Sequence, residues 1–246
     1  MNSTLTLMAA GSLRRAFLPL QTQFTALTGI ALNLVFGPAG LLRERIEGGE
    51  PCSLFASANR QHPAALRDAG RGDGLHLFAR NALALTVRNT PHTAGKSWLQ
   101  LLAEPALRLA TSTPQCDPSG DYTWQLFDRL DASHPGLGEA LKRRAMPLVG
   151  GRDSLALPSG AIASSWIIEE GLADLFIGYA HYAPALAGNR AVRCLAIPAP
   201  WNIRCDYYLT RVDESDAARR LCQFILAQEG QRCLRDAGFI SVSDES

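Results

Sequence analysis

Apolar positions set the order of elements from the start of the chain. Leu5-Thr6-Leu7-Met8 is a short apolar run, and Ala9-Ala10-Gly11-Ser12-Leu13 follows as a small-residue turn. The spacing then becomes helical: Leu13, Phe17, Leu20, Phe24 and Leu27 recur at alternating steps of four and three, drawing one apolar stripe down a helix. Ser12 is the expected N-cap and Gly29 the expected stop, while Pro19 interrupts the stripe and predicts a kink or a loss of stability. Ile30 to Phe36 reads as a buried strand, Gly37-Pro38-Ala39-Gly40 as a turn, Leu41 to Glu47 as a helix and Leu54 to Ser57 as a third strand. A β-α-β-α-β order predicts a parallel sheet with right-handed crossovers.

The alternation continues. Helices are predicted over Pro63–Ala69, Ser97–Ala103, Asp121–Leu130, Leu137–Ala145, Ala161–Glu170 and Ser215–Ala227. Strands are predicted over Leu75–Ala79, Leu83–Val87, Leu107–Ala110, Asp174–Tyr179, Val192–Ile197 and Ile203–Val212, with Gly238-Phe239 beginning the tail. The fold class is therefore α/β. Arg80-Asn81-Ala82 and Pro198-Ala199-Pro200 are the best boundaries, which predicts one lobe from 1–81 plus 202–246 and a second from 82–201. The hinge then falls near 80–83 and 198–203, and such an arrangement permits closure on a ligand held in a cleft between lobes.

Composition removes several function classes. A net charge of +1 gives no basic excess for nucleic acid, and no apolar run approaches the roughly 20 residues of a membrane span. Six cysteines at 52, 116, 194, 205, 222 and 233 form no CxxC pair, so zinc and thioredoxin-type chemistry are not expected. Buried free thiols are the expected state, against pairings of Cys194 with Cys205 or Cys222 with Cys233. There is no nucleophile elbow, P-loop or dinucleotide fingerprint, and the five histidines are scattered, so a Ser12–His62 or Cys116–His181 couple has little behind it. Lys142-Arg143-Arg144 reads as a solvated helix face, and Arg14, Arg15 and Arg43 as helix residues facing solvent or carboxylates.

What remains is a set of helix starts. Ser12, the 37–40 turn, the 118–120 turn and the 158–161 turn each place small residues ahead of a helix, two in each predicted lobe. Helix starts leave amides unpaired at the positive end of a dipole, which suits an oxyanion held by neutral donors.

The same residues carry a resemblance. Ala9-Ala10-Gly11-Ser12-Leu13, Phe36-Gly37-Pro38-Ala39-Gly40 and Gly49-Glu50-Pro51-Cys52-Ser53-Leu54-Phe55-Ala56-Ser57-Ala58 resemble the opening of periplasmic molybdate- and tungstate-binding proteins, the receptors of ABC transporters. The resemblance continues through 78–85, Pro118-Ser119-Gly120 and Gly178-Tyr179, and ends at Gln228-Glu229-Gly230-Gln231 and Ala237-Gly238-Phe239. It implies a two-lobed type II periplasmic-binding-protein fold, each lobe a mostly parallel sheet flanked by helices. It also implies molybdate or tungstate as ligand, a membrane permease as partner, a monomer without cofactor, and a periplasmic location with the leader already removed.

Position by position, the resemblance gives Ser12 a hydroxyl and amide donor role, Ser119 and Ala161 amide roles, and Tyr179 a phenol role. Gly11 and Gly40 shape the turns, and Gly160 is the alternative donor to Ala161. Two departures stand out. Ala39 replaces the usual serine of the second turn and can offer only its amide, and Cys52-Ser53 stands where Ala-Asp is common. The reading is a non-enzymatic oxyanion receptor. Its alternatives are a receptor for another small, even organic, anion, a ligand-sensing regulator module, and a hydrolase using Ser12.

Overall fold

The computed structural model describes residues 4–242. In chain order the elements begin β1 (Leu5–Ala10), a 3-10 turn (Gly11–Leu13), α1 (Arg14–Thr28), β2 (Leu32–Gly37), α2 (Ala39–Glu47), β3 (Leu54–Ser57), α3 (Gln61–Asp68) and β4 (Asp73–Asn81). The middle of the chain gives β5 (Leu83–Arg88), α4 (Trp98–Ala103), β6 (Leu109–Ser112), α5 (Pro118–Ser133), α6 (Leu137–Arg144), β7 (Met146–Val149), α7 (Ala163–Glu169), β8 (Leu175–Tyr179), α8 (Ala183–Leu186) and β9 (Val192–Ala196). The chain then adds β10 (Cys205–Arg211), α9 (Asp216–Leu226) and α10 (Gln228–Asp236).

Two compact units result: Met1–Asn81 with Cys205–Ser246, and Ala82–Arg204. The return crossing lies three residues beyond the expected one. Asn202 explains the difference, because its side chain accepts from the Leu83 amide and donates to the carbonyls of Leu83 and Ile197, at 2.9, 2.8 and 3.0 Å, tying residues 202–204 to the second unit.

The first unit is a five-stranded sheet in the order β2-β1-β3-β10-β4. β1 pairs in parallel with β2 and β3, while β10 runs antiparallel to both β3 and β4, so four strands share one direction. An aromatic file fills its core: Phe17 to Phe78, Phe78 to Tyr207 and Tyr207 to Phe239, with centroids 6.1, 6.2 and 5.3 Å apart. Helix α1 forms as the stripe predicts, with Phe17, Leu20 and Phe24 buried and Gly29 at φ 70° closing it. Leu27 departs from the stripe and is 69% exposed. Pro19 is accommodated inside the continuous helix.

The second unit repeats the design with the order β7-β6-β8-β5-β9. β6 is parallel to β7 and β8, and β5 is antiparallel to β8 and β9. Asp174 is its main ionic anchor, accepting from Arg108 at 3.0 Å and from Arg88 at 3.1 Å. Arg144 is no solvated cation: its guanidinium donates to the carbonyls of Glu104 (2.9 Å), Leu107 (2.7 Å) and Leu102, fastening the end of α6 to the segment between α4 and β6. All six cysteines are free thiols.

Candidate functional site

In the first unit the parallel strands β1, β2 and β3 deliver their carboxyl ends to one sheet edge, where ligands of open α/β sheets gather. Ala10 stands opposite Gly37 and Ala9 opposite Ala56, so the segments leaving these strands emerge together. Ser12 sits inside the 3-10 turn, 8% exposed, not at a capping position; Ala10 and Leu13 hold the cap positions and neither supplies a side-chain cap. The Ser12 hydroxyl instead lies 3.0 Å from the Tyr207 hydroxyl, which reaches it from β10. Arg14 also departs from expectation: its guanidinium lies 4.5 Å from the centre of the Phe36 ring, a cation–π contact at the same edge.

Ala39 is fully buried as the first residue of α2, behind Pro38 in an extended conformation. The first helical bond runs from the Leu42 amide to the Pro38 carbonyl at 2.9 Å, so the amides of Ala39, Gly40 and Leu41 lie ahead of it. Pro38 fixes φ and stops the chain from continuing the strand, which is how the sequence sets this start. Gly11 and Gly40 adopt no left-handed conformation, and a Cβ at Gly11 would meet nothing within 4 Å.

One network was not foreseen. Asn59 Oδ1 accepts from the Ser57 hydroxyl at 3.0 Å and from the His62 amide at 3.2 Å, bracing the start of α3 beside the same edge. The signal was present, since an Asn three residues ahead of a helical amide after a strand is a capping pattern.

In the second unit β6, β7 and β8 run the same way, so Ser112, Val149 and Tyr179 end at a common edge. Tyr179 is buried there, opposite Leu83. The two amides assigned by resemblance already have partners. Ser119 N–H donates to Asp117 Oδ1 at 3.0 Å. Ala161 N–H donates to the Pro158 carbonyl at 3.0 Å, in a turn whose Gly160 has φ +79°. That turn is separate from α7, which starts two residues later at Ala163, so the helix predicted to open at Ala161 is shorter than expected.

Asp117 is the residue the sequence reading missed. It caps α5 and is partly buried; burial pushes its carboxyl up to about 6, against the Ser119 amide and the Ser112 side chain, which hold it down. Gly120 is required next to it, because a Cβ there would lie 2.6 Å from the Pro114 nitrogen.

Among the described residues no group of three His, Cys, Asp or Glu side chains could hold a metal ion. Among the described residues no helix is long and apolar enough to cross a membrane. The α2 start and the Ser12 turn place backbone amides and a hydroxyl at one edge of the first sheet.

Known proteins share this architecture. An uncharacterised protein of Pasteurella multocida is 41% identical over 235 residues, covering 95% of this chain and 97% of its own length. The molybdate-binding protein ModA of Escherichia coli is 27% identical over 198 residues, 76% of this chain and 70% of its own. Among solved structures, the periplasmic molybdate-binding protein of Azotobacter vinelandii superposes with a TM-score of 0.77 at 20% identity, covering 96% of this chain and 98% of that one. The sulfate-binding protein SubI of Mycobacterium tuberculosis superposes with a TM-score of 0.76 at 18% identity, covering 98% and 88%. Both have the periplasmic-binding fold found here. Residues 5–240 match the family described as bacterial extracellular solute-binding protein, and the chain belongs to that family.

Proposed function

We propose that this chain is the periplasmic receptor of an ABC transporter for a tetrahedral oxyanion, molybdate or tungstate, which it hands to a membrane permease. It acts as a cofactor-free monomer and turns nothing over. The observation that carries the reading is the α2 start, where three amides lie ahead of the first helical bond at the edge to which β1 also delivers the Ser12 turn. These are neutral donors on a rigid sheet edge, and the dipole of α2 adds roughly half a positive charge. Ser12 and the α2 amides are the donors assigned to the ion in the first unit. The ModA relative supports molybdate as the first candidate.

Thermal unfolding with excess molybdate, tungstate, sulfate and phosphate tests the reading. A ligand at 100 times its Kd adds about 2.7 kcal/mol, so a true ligand raises Tm measurably. Ser12→Ala removes a hydrogen bond to a charged group, worth about 1.5–3 kcal/mol, and is expected to weaken affinity tenfold or more with no turnover in either protein. A shift with sulfate alone, or with neither molybdate nor tungstate, would sink the assignment.

A further inference from the structure

At the start of α5 a carboxylate has taken one of the helix amides. Pro118 has no N–H; Ser119 donates to Asp117 Oδ1, and Gly120 and Asp121 donate to the Asp117 carbonyl at 2.9 and 3.4 Å. Every amide of the first turn is thus partnered by Asp117. The dipole's partial positive charge at this end meets a whole carboxylate.

The fit around Asp117 is close. The Ser112 side chain at the end of β6 bonds to it, and the backbone of Gly150, after β7, comes near enough that a Cβ there would lie 2.6 Å from Oδ2. Gly150 holds φ +76°, so this approach uses a conformation that other residues rarely adopt. Asp121 on α5 itself is a charged group that acts on Asp117, its Oδ1 accepting from the Gln115 amide at 2.8 Å; Ser112 and Gly150, which approach it from the ends of β6 and β7, are uncharged.

We propose that Asp117 determines how much negative charge the second unit accepts from a ligand. As a carboxylate it holds the Ser119 amide that would otherwise meet an oxyanion, and it repels a fully ionised one. This rests on the oxyanion-receptor reading and adds a selectivity residue to it. The raised Asp117 carboxyl would let mild acid relieve the restraint.

Isothermal titration of the full chain with sodium molybdate, for the wild type, Asp117→Asn and Asp117→Ala at pH 7.5 and 5.5, tests it. Asp117→Asn keeps an acceptor for the Ser119 amide while removing the charge; Asp117→Ala also frees that amide. Circular dichroism establishes that each variant is folded. Molybdate should bind Asp117→Asn at least tenfold tighter than the wild type at pH 7.5, and Asp117→Ala at least as tightly as Asp117→Asn. Acidification to pH 5.5 should tighten binding to the wild type and leave Asp117→Asn unchanged. Equal affinities in all three proteins, or weaker binding by Asp117→Asn, would overturn the role of Asp117 and leave the receptor intact. Absence of binding by all three would overturn the receptor reading and this inference together.

Discussion

His62 is 3% exposed in α3, and both of its ring nitrogens are buried with no hydrogen-bond partner among the described residues. Burial, aided by the Arg43 guanidinium, lowers its pKa from 6.5 to about 4. Above pH 6.5 the ring is neutral in both folded and unfolded chains and contributes no pH dependence. As pH falls through 6.5 the unfolded chain takes up the proton first, so stability falls until the folded ring also protonates near pH 4. The loss is at most about 3–4 kcal/mol, from 1.36 kcal/mol per pKa unit. Urea unfolding at pH 7 and pH 4.5 should show this loss in the wild type and a smaller one in His62→Asn; equal slopes would remove His62 as the cause. This behaviour was not legible in the sequence, where His62 is one of five scattered histidines and stands just ahead of the helix predicted from Pro63. Burial depends on how α3 lies against α2, and no local pattern encodes that. Ser12 was legible as a residue of the turn after β1, whereas its partner Tyr207 lies 195 residues away and joins it only through the sheet. Asp117 was passed over because it reads as an ordinary turn residue, and its weight comes from what surrounds it.

Among elements, the strongly periodic ones were readable and the ones defined by neighbours were not. α1 showed a stripe and a stop, and α9 forms within a residue of its predicted bounds, with Ser215 capping it by accepting from the Ala218 amide at 3.2 Å. β7 escaped notice because Met146-Pro147-Leu148-Val149 is too short to alternate, and it becomes a strand by lying beside β6. α10 escaped because Gln, Glu, Arg and Gly230 dilute its apolar positions, although Cys233 and Leu234 bury one face and Gln231 donates to the Phe78 carbonyl at 2.9 Å. The α5–α6 pair supplies a test at this scale. Gly138 in α6 abuts α5 so closely that a Cβ would run into the Phe127 carbonyl. Ala is ordinarily better than Gly in a helix by about 1 kcal/mol, but here the intruding atom is backbone and cannot swing aside. Overpacking of about 2–3 kcal/mol should win, so Gly138→Ala is expected to lower Tm by roughly 4–8 °C. Gly188→Ala, where a Cβ meets nothing within 4 Å, should change stability by less than about 0.5 kcal/mol. A neutral Gly138→Ala in differential scanning calorimetry would show that α6 can shift away from α5.

At the scale of the whole molecule, the alternation of strands and helices announced α/β, and Arg80-Asn81-Ala82 marked the first crossing because polar residues there break two apolar runs. The second crossing was displaced toward the prolines at 198 and 200, since proline is the visible breaker while the tie made by Asn202 is long-range. The division has a consequence for folding. Ala82–Arg204 is one continuous segment, and β5 to β9 pair only with each other, so it holds a complete sheet and core. The first unit is discontinuous: β10 lies between β3 and β4, and residues 1–81 without it leave β4 with no neighbour. Asn81 and Cys205 are antiparallel register partners, so the two pieces can be joined as a hairpin. Residues 82–204 expressed alone are expected to unfold in one cooperative thermal transition with a dispersed amide spectrum. Residues 1–81 alone should give neither. Joining Asn81 to Cys205 through a two-residue Asn-Gly turn, which suits the twist of antiparallel strands, should restore both properties to the first unit. A disordered 82–204 fragment would mean that its sheet needs the first unit in order to form. A cooperative 1–81 fragment would mean that β10 closes a sheet already able to stand, and that the chain's return across 204/205 contributes less to the first unit than its central place in the strand order implies.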